Sequence, residues 1–212
     1  DAVQAVGKIR IDVEDLQVDF LTLSGHKMYG PKGVGALYMR KGIELDPLVH
    51  GGKQERGLRA GTENVVGIAG CGKAAELAEQ RLNQMSARVR PLRDKLWQGL
   101  IELFPDAKLN GHLEERLPNT LNVSLSGIRG ESFVLALDQK GVSFSSGSAC
   151  RSGSPKPSHA LLAMGLTEEL AHCALRFSLG LNTTEQQIDR TLQAFAEVTQ
   201  QSMSSVRFVP CR

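Results

Sequence analysis

Apolar positions along the chain follow two patterns. Short apolar runs bounded by turn residues read as strands: Asp19 to Ser24 (Asp-Phe-Leu-Thr-Leu-Ser) and Gly33 to Met39 (Gly-Val-Gly-Ala-Leu-Tyr-Met). Gly25, Gly30 and Pro31 break the chain between them. Residues 42–61 are polar and rich in glycine, with little apolar periodicity, which predicts a long loop; loops of that length usually have a job. From Thr62 the pattern turns helical. Thr62 can serve as N-cap, the run through Ala78 is rich in alanine, and Leu82, Met85, Val89, Leu92, Leu96, Leu100 and Leu103 continue one apolar stripe until Pro105. A helix this long, with Pro91 inside it, suits a bridge between two domains. The expected boundary is near residue 84, giving segments 1–84 and 85–212.

The second half alternates again. Asn119 to Leu125 reads as a strand and Glu131 to Gln139 as a helix opened by Arg129-Gly130 and closed by Gly141. Val142 to Phe144 reads as a short strand leading into a loop of small residues. Pro157 to Met164 and Glu168 to Cys173 are expected as short helices, and Leu175 to Leu179 as a strand. Thr183 followed three residues later by Gln186 fits a capping box opening the last helix. Alternating strands and helices indicate an α/β protein. The sequence has no internal repeat and no low-complexity segment.

Composition narrows the classes. Of 212 residues, 41% are hydrophobic and 23% charged, the balance of an ordinary globular protein. With 25 basic and 23 acidic residues the net charge is +2, which offers no electrostatic case for nucleic acid or an anionic membrane. No apolar run reaches the ~20 residues of a membrane span, and no signal-peptide pattern is visible at the start. The four cysteines, Cys71, Cys150, Cys173 and Cys211, form no Cys-x-x-Cys pair and no zinc spacing. Free thiols in a reducing, cytoplasmic compartment are expected. Cys71 and Cys173 read as small buried hydrophobes and Cys211 as a frayed end residue.

Two loops carry candidate chemistry. In Ser24-Gly25-His26-Lys27-Met28-Tyr29-Gly30-Pro31-Lys32-Gly33 a lysine stands where an apolar strand runs into a glycine-rich turn. Ser24 and His26 flank it at positions that could donate hydrogen bonds to a phosphate, and backbone amides among glycines add anion contacts. A desolvated lysine there has a lowered pKa and a nucleophilic amine. In Ser145-Ser146-Gly147-Ser148-Ala149-Cys150 a thiol stands among residues too small to bury it. A lysine able to form a Schiff base and a thiol within reach together suggest sulfur chemistry on an amino acid. Taken singly, each residue has a plainer reading. Lone lysines are usually solvated charges. Asp1 could be a solvated terminal residue, Arg176 a structural ion pair, Cys150 an incidental thiol, and His50 and His159 surface histidines.

The run from Ser24 to Tyr38 resembles the cofactor-lysine segment of the pyridoxal-phosphate cysteine desulfurases, within the class V aminotransferase group. So do His50-Gly51-Gly52 with Gln54-Glu55-Arg56-Gly57-Leu58-Arg59-Ala60-Gly61-Thr62, the Ser145 to Cys150 loop, and Leu175-Arg176-Phe177-Ser178-Leu179-Gly180. Four such segments in the right order are specific where any one would be weak. The resemblance implies a fold-type-I PLP-dependent transferase, with 1–84 the C-terminal part of the large cofactor-binding domain and 85–212 the small domain carrying the cysteine loop. It implies that Lys27 holds pyridoxal phosphate, that Ser24 and His26 bind its phosphate, that Asp1 pairs with its ring nitrogen and that Gln4 contacts its phenolic oxygen. Thr62 would reach the phosphate of a neighbouring subunit, which implies a homodimer. Arg176 would grip the carboxylate of L-cysteine, and Cys150 would accept its sulfur as a persulfide.

The following Arg151-Ser152-Gly153-Ser154-Pro155 resembles the group with a long, mobile cysteine loop. That group passes sulfur to scaffold or carrier proteins for iron–sulfur assembly or nitrogenase maturation. The short stretch after the last helix leans toward the nitrogenase-type branch. The resemblance covers about half of a family member, so residues 1–212 alone are expected to be an inactive fragment. Two other readings stand beside the desulfurase: a non-catalytic interaction module, which intact Lys27, Cys150 and Arg176 argue against, and a related reaction on the same fold. Selenocysteine lysis belongs to the latter, as does transamination, for which no thiol is needed.

Overall fold

Ser24 ends a strand and Gly35 begins the one that returns beside it. In the computed structural model, which describes residues 1–128, 130–146 and 157–205, β1 (Phe20–Ser24) and β2 (Gly35–Met39) pair antiparallel, with Phe20 opposite Met39 and Ser24 opposite Gly35. Between them lies one 3-10 turn, Gly25–Met28, closed by Tyr29 in the left-handed region at φ 68. The chain divides into two compact units, Asp1–Ser86 and Ala87–Arg212.

In the first unit, the opening residues coil into turns through Val6 N–H to the Ala2 carbonyl and Lys8 N–H to the Ala5 carbonyl. Ala2 N–H donates to the Thr22 carbonyl at 3.0 Å, tying that segment to β1. The long loop is present and contains one 3-10 turn, Glu55–Gly57. Helix α1 (Val65–Gln80) follows. Its N-cap is Asn64, not Thr62: the Asn64 side chain accepts from Gly67 N–H at 3.0 Å, satisfying one of the otherwise unpaired first-turn donors. The small residues of α1 let the 3-10 turn come close. Met28, Cys71 and Ala74 form a buried cluster, with Val6, Leu23, Val34 and Ala78 packed against it. At Gly30 a Cβ would lie 2.9 Å from the Ala74 Cβ and from the Gly25 carbonyl oxygen, so the turn has no room there for a side chain.

The helical pattern from residue 62 is two helices rather than one. Arg81, at φ −100 and ψ 4, separates α1 from α2 (Leu82–Leu103). The apolar stripe lies wholly on α2, where Met85, Val89, Leu96 and Leu100 are buried. Pro91 is accommodated inside α2.

The second unit holds a four-stranded sheet in the order β3 (Lys108–Leu109), β4 (Thr120–Ser124), β6 (Ala174–Ser178), β5 (Ser145–Ser146). Every described pairing is antiparallel, so the alternation of strands and helices does not produce parallel βαβ units here. The segment Val142 to Phe144 precedes β5 instead of forming it. Its apolar pattern comes from core contacts: Val142 is buried and Phe144 stacks on Phe177 at 5.1 Å. Helices α3 (Gly130–Asp138), α4 (His159–Ala163), α5 (Glu168–His172) and α6 (Glu185–Ser205) complete the unit. The box that opens α6 is one residue later than Thr183 and Gln186: Thr184 N–H donates to Gln187 Oε1 at 2.9 Å and Gln187 N–H to Thr184 Oγ1 at 3.3 Å. Thr183 instead accepts from Gly180 N–H. Helices α2 and α6 approach at Gly99, where a Cβ would meet the branch of Leu192. Among the described residues no helix is long and apolar enough to cross a membrane.

Candidate active site

The 3-10 turn separates its side chains by burial. Gly25 and Met28 are buried, which anchors the turn in the core, while His26 and Lys27 between them are exposed. Ser24 Oγ lies 2.8 Å from His26 Nδ1, so one short hydrogen bond orients a hydroxyl and an imidazole beside the lysine. Asp1 is held against the same strand. Its Oδ1 accepts from Val3 N–H at 2.8 Å and from Thr22 Oγ1 at 3.2 Å, two residues before Ser24. Gln4 is exposed in the turn that follows Asp1. Asp1, Gln4, Ser24, His26 and Lys27 thus stand on segments tied directly to β1 and the turn at its end.

Thr62 is not drawn into this group. It is exposed in the segment leading to Asn64, and no hydrogen bond among the described residues ties it to the Lys27 turn.

Lys8 is a member that spacing did not reveal. Its side chain is buried, and Nζ donates to the Lys27 carbonyl at 2.8 Å. The ammonium also lies 5.6 Å from the centroid of the Tyr29 ring. Burial pushes the Lys8 amine below its usual range, and the nearby Lys27 charge adds to that. In the sequence Gly7-Lys8-Ile9-Arg10 nothing distinguishes Lys8 from a surface charge.

In the second unit Arg176 sits on β6 between Asn122 of β4 and Ser145 of β5. Asn110 Nδ2 donates to Asn122 Oδ1 at 2.7 Å and to Ser124 Oγ at 2.9 Å, so polar side chains occupy this part of the sheet. Leu121, Val123, Leu175 and Phe177, at the alternate positions, are buried. Arg176 Nε is buried and has no acceptor among the described residues. A carboxylate taken side-on by the guanidinium fork would supply one. Cys150 and Cys211 lie outside the described residues; Cys71 and Cys173 are buried thiols.

The donors at the end of β1 suit a small molecule bearing a reactive carbonyl, a phosphate and a basic ring nitrogen. Lys27 offers an amine, Ser24 and His26 offer hydrogen-bonding groups for phosphate oxygens, and Asp1 offers a carboxylate. The aminotransferase class-V pattern matches residues 1–191. The chain belongs to the aminotransferase class-V family. Within it, the chain is 51% identical over 200 residues to a cysteine desulfurase IscS of Methanosarcina thermophila, covering 94% of this chain and 49% of that protein. It is 53% identical over 192 residues to a cysteine desulfurase of Gluconacetobacter diazotrophicus, covering 91% of this chain and 48% of that one. A solved NifS-like protein superposes with a TM-score of 0.84 at 42% identity, over 94% of this chain and 51% of its own. Class-V membership and this likeness give the fold: mixed α/β of the PLP-dependent transferase type. The chain spans about half the length of the curated relatives it matches.

Proposed function

We propose that this chain carries the cofactor lysine, the substrate arginine and the sulfur-accepting cysteine of a pyridoxal-phosphate-dependent cysteine desulfurase. The observation that carries the reading is the Lys27 turn, with Ser24 and His26 paired at 2.8 Å and Asp1 fastened to the strand that leads into it. About half of all positions are identical to those of proteins named cysteine desulfurase, which supports the same reading.

Pyridoxal phosphate, when bound, withdraws electron density from the α-carbon of an attached amino acid. Lys27 would hold it, with Ser24 and His26 on the phosphate, Asp1 on the ring nitrogen and Gln4 on the phenolic oxygen. Arg176 takes the carboxylate of L-cysteine and fixes which bond at the α-carbon is aligned for cleavage. The Lys27 amine, when unprotonated, takes the α-proton and holds it on Nζ. The Cys150 thiolate attacks the substrate sulfur. The S–S bond forms as the Cβ–S bond breaks, its electron pair stays with the three-carbon fragment, and a proton completes L-alanine. The balance is L-cysteine plus Cys150 thiol giving L-alanine plus Cys150 persulfide.

The persulfide is then handed to a scaffold or carrier protein for iron–sulfur assembly, with nitrogenase maturation as the narrower role. The working protein is a cytoplasmic homodimer in which Thr62 serves the neighbouring subunit's phosphate site. Segment 1–84 belongs to the cofactor-binding domain and 85–212 to the domain bearing the cysteine loop, and residues 1–212 alone are inactive.

The test uses the full-length protein. Wild type should form alanine and sulfide from L-cysteine, Lys27→Ala should lose both products and the cofactor absorbance band, and Cys150→Ala should lose sulfur transfer while keeping the band. Retention of desulfurase turnover by Lys27→Ala would overturn the reading. Selenide release from selenocysteine with none of sulfide from cysteine would move the assignment to selenocysteine lysis.

A further inference from the structure

Lys8 is a charged side chain placed where charge is costly. It is only 6% exposed, and among the described residues no carboxylate pairs with it. What it meets is the Lys27 turn, on two sides. Nζ donates to the Lys27 carbonyl at 2.8 Å, a charge-assisted bond, and the same ammonium faces the Tyr29 ring at 5.6 Å. Tyr29 is the residue that closes the turn, and it does so in the left-handed region at φ 68, which a non-glycine residue holds only when its surroundings enforce it. Lys8 therefore grips the residue bearing the candidate catalytic amine and the strained residue after next.

Lys8 also has a fixed footing. It lies in the segment that starts at Asp1, whose carboxylate is bound by Thr22 and whose neighbour Ala2 bonds the Thr22 carbonyl. One end of the segment is fastened to β1 and the other, through Lys8, to the turn that follows β1. The spacing between the Asp1 carboxylate and the Lys27 backbone is set by this closed loop of bonds.

We propose that Lys8 is a positioning residue: it acts through the Lys27 carbonyl and the Tyr29 ring to hold the Lys27 turn in register with Asp1. The inference rests on Lys27 being the cofactor lysine for its functional consequence, and its physical content can be read without the cofactor.

The experiment compares Lys8→Met, which keeps the length of the stem and removes the charge and donor, with Lys8→Arg, which keeps both, in the full-length protein. Amide hydrogen exchange is followed at Tyr29 and Gly30, whose N–H groups bond the Gly25 carbonyl, and at Cys71 to Ala74 in α1 as the reference. Lys8→Met should raise exchange at Tyr29 and Gly30 by about tenfold or more while α1 stays within about twofold, and Lys8→Arg should restore protection. In turnover, Lys8→Met should lower kcat about tenfold with KM for L-cysteine within about twofold, the mark of lost alignment rather than lost binding. Unchanged exchange at Tyr29 and Gly30, or an increase spread equally over α1, would overturn the inference, the second by making Lys8 a general support of the fold. Borohydride trapping of pyridoxal phosphate on wild-type protein separates the two claims. Failure to label Lys27 there defeats the functional reading, while the exchange pattern still decides the role of Lys8.

Discussion

The second unit surrounds Phe195 with the rings of Phe104, Phe133, Phe144 and Phe177, at centroid distances of 5.8 to 6.3 Å. The buried cluster of the first unit is built from Met28, Cys71 and Ala74. The first unit leaves large apolar side chains in solvent, among them Leu48 at 94% and Val66 at 84% exposure, and its two-stranded ladder has no further strand on either edge among the described residues. Polar ties in it join Asp1 to Thr22, Ser24 to His26 and Lys8 to Lys27, and Arg40 bonds the Val13 and Val18 carbonyls as well as Glu14. The difference shows where packing and chemistry have been placed. In the second unit described aromatic rings pack on one another, while in the first the turn bearing Lys27 packs through Met28 against Cys71 and Ala74 of α1.

The largest change expected from breaking this contrast is in the second unit. Phe195→Ala empties the centre of the ring cluster and should cost about 3–5 kcal/mol, measured by urea unfolding. Next is the start of α1. Asn64→Ala should cost ~1 kcal/mol in the first unit, whereas Thr62→Ala, which removes no cap, should leave the unfolding midpoint nearly unchanged. A midpoint that moves with Thr62 and not Asn64 would place the cap where the sequence alone suggested.

The effects of pH should be smaller and of opposite origin in the two units. Lys8 has a lowered pKa when folded, so the unfolded chain keeps its proton to higher pH, and the first unit gains stability as pH rises through that window. Glu197, held below the usual carboxylate range chiefly by Lys140, contributes stability above its unfolded pKa that is lost as pH falls through the folded value. Unfolding curves taken across pH should lose the alkaline gain in Lys8→Met and part of the acid loss in Glu197→Gln. Smallest of all is Glu197→Gln at neutral pH, expected to leave the unfolding midpoint nearly unchanged because solvent reaches the pair it makes with Lys140.

Much of this arrangement was legible in the sequence because its signals are local. The runs at Phe20 and Gly35, the stripe from Leu82 to Leu103 and the turn between the strands each follow from periodicity and breakers within a few residues. What escaped depends on competition between neighbours of the same type. Thr62 and Asn64 are both good caps, as are Thr183 and Thr184, and only the placed backbone decides which oxygen meets a free N–H. The break at Arg81 is hidden by apolar residues that continue on either side of it. Lys27, Ser24 and His26 stood out through residue types around one turn, and Asp1 through the resemblance alone. Lys8 did not, because a lysine becomes a buried strut through tertiary packing, which leaves no mark on the letters beside it.

The contact between Gly99 and Leu192 constrains the history of this sequence. Any residue larger than glycine at 99 would bring its Cβ against the branch of Leu192, which must then swing aside or give way to a smaller residue. A lineage that shrinks 192 first passes through a form with a void between the two helices. Whichever position changes first, the packing of the other is disturbed, so the two positions are expected to change together more often than singly across descendants.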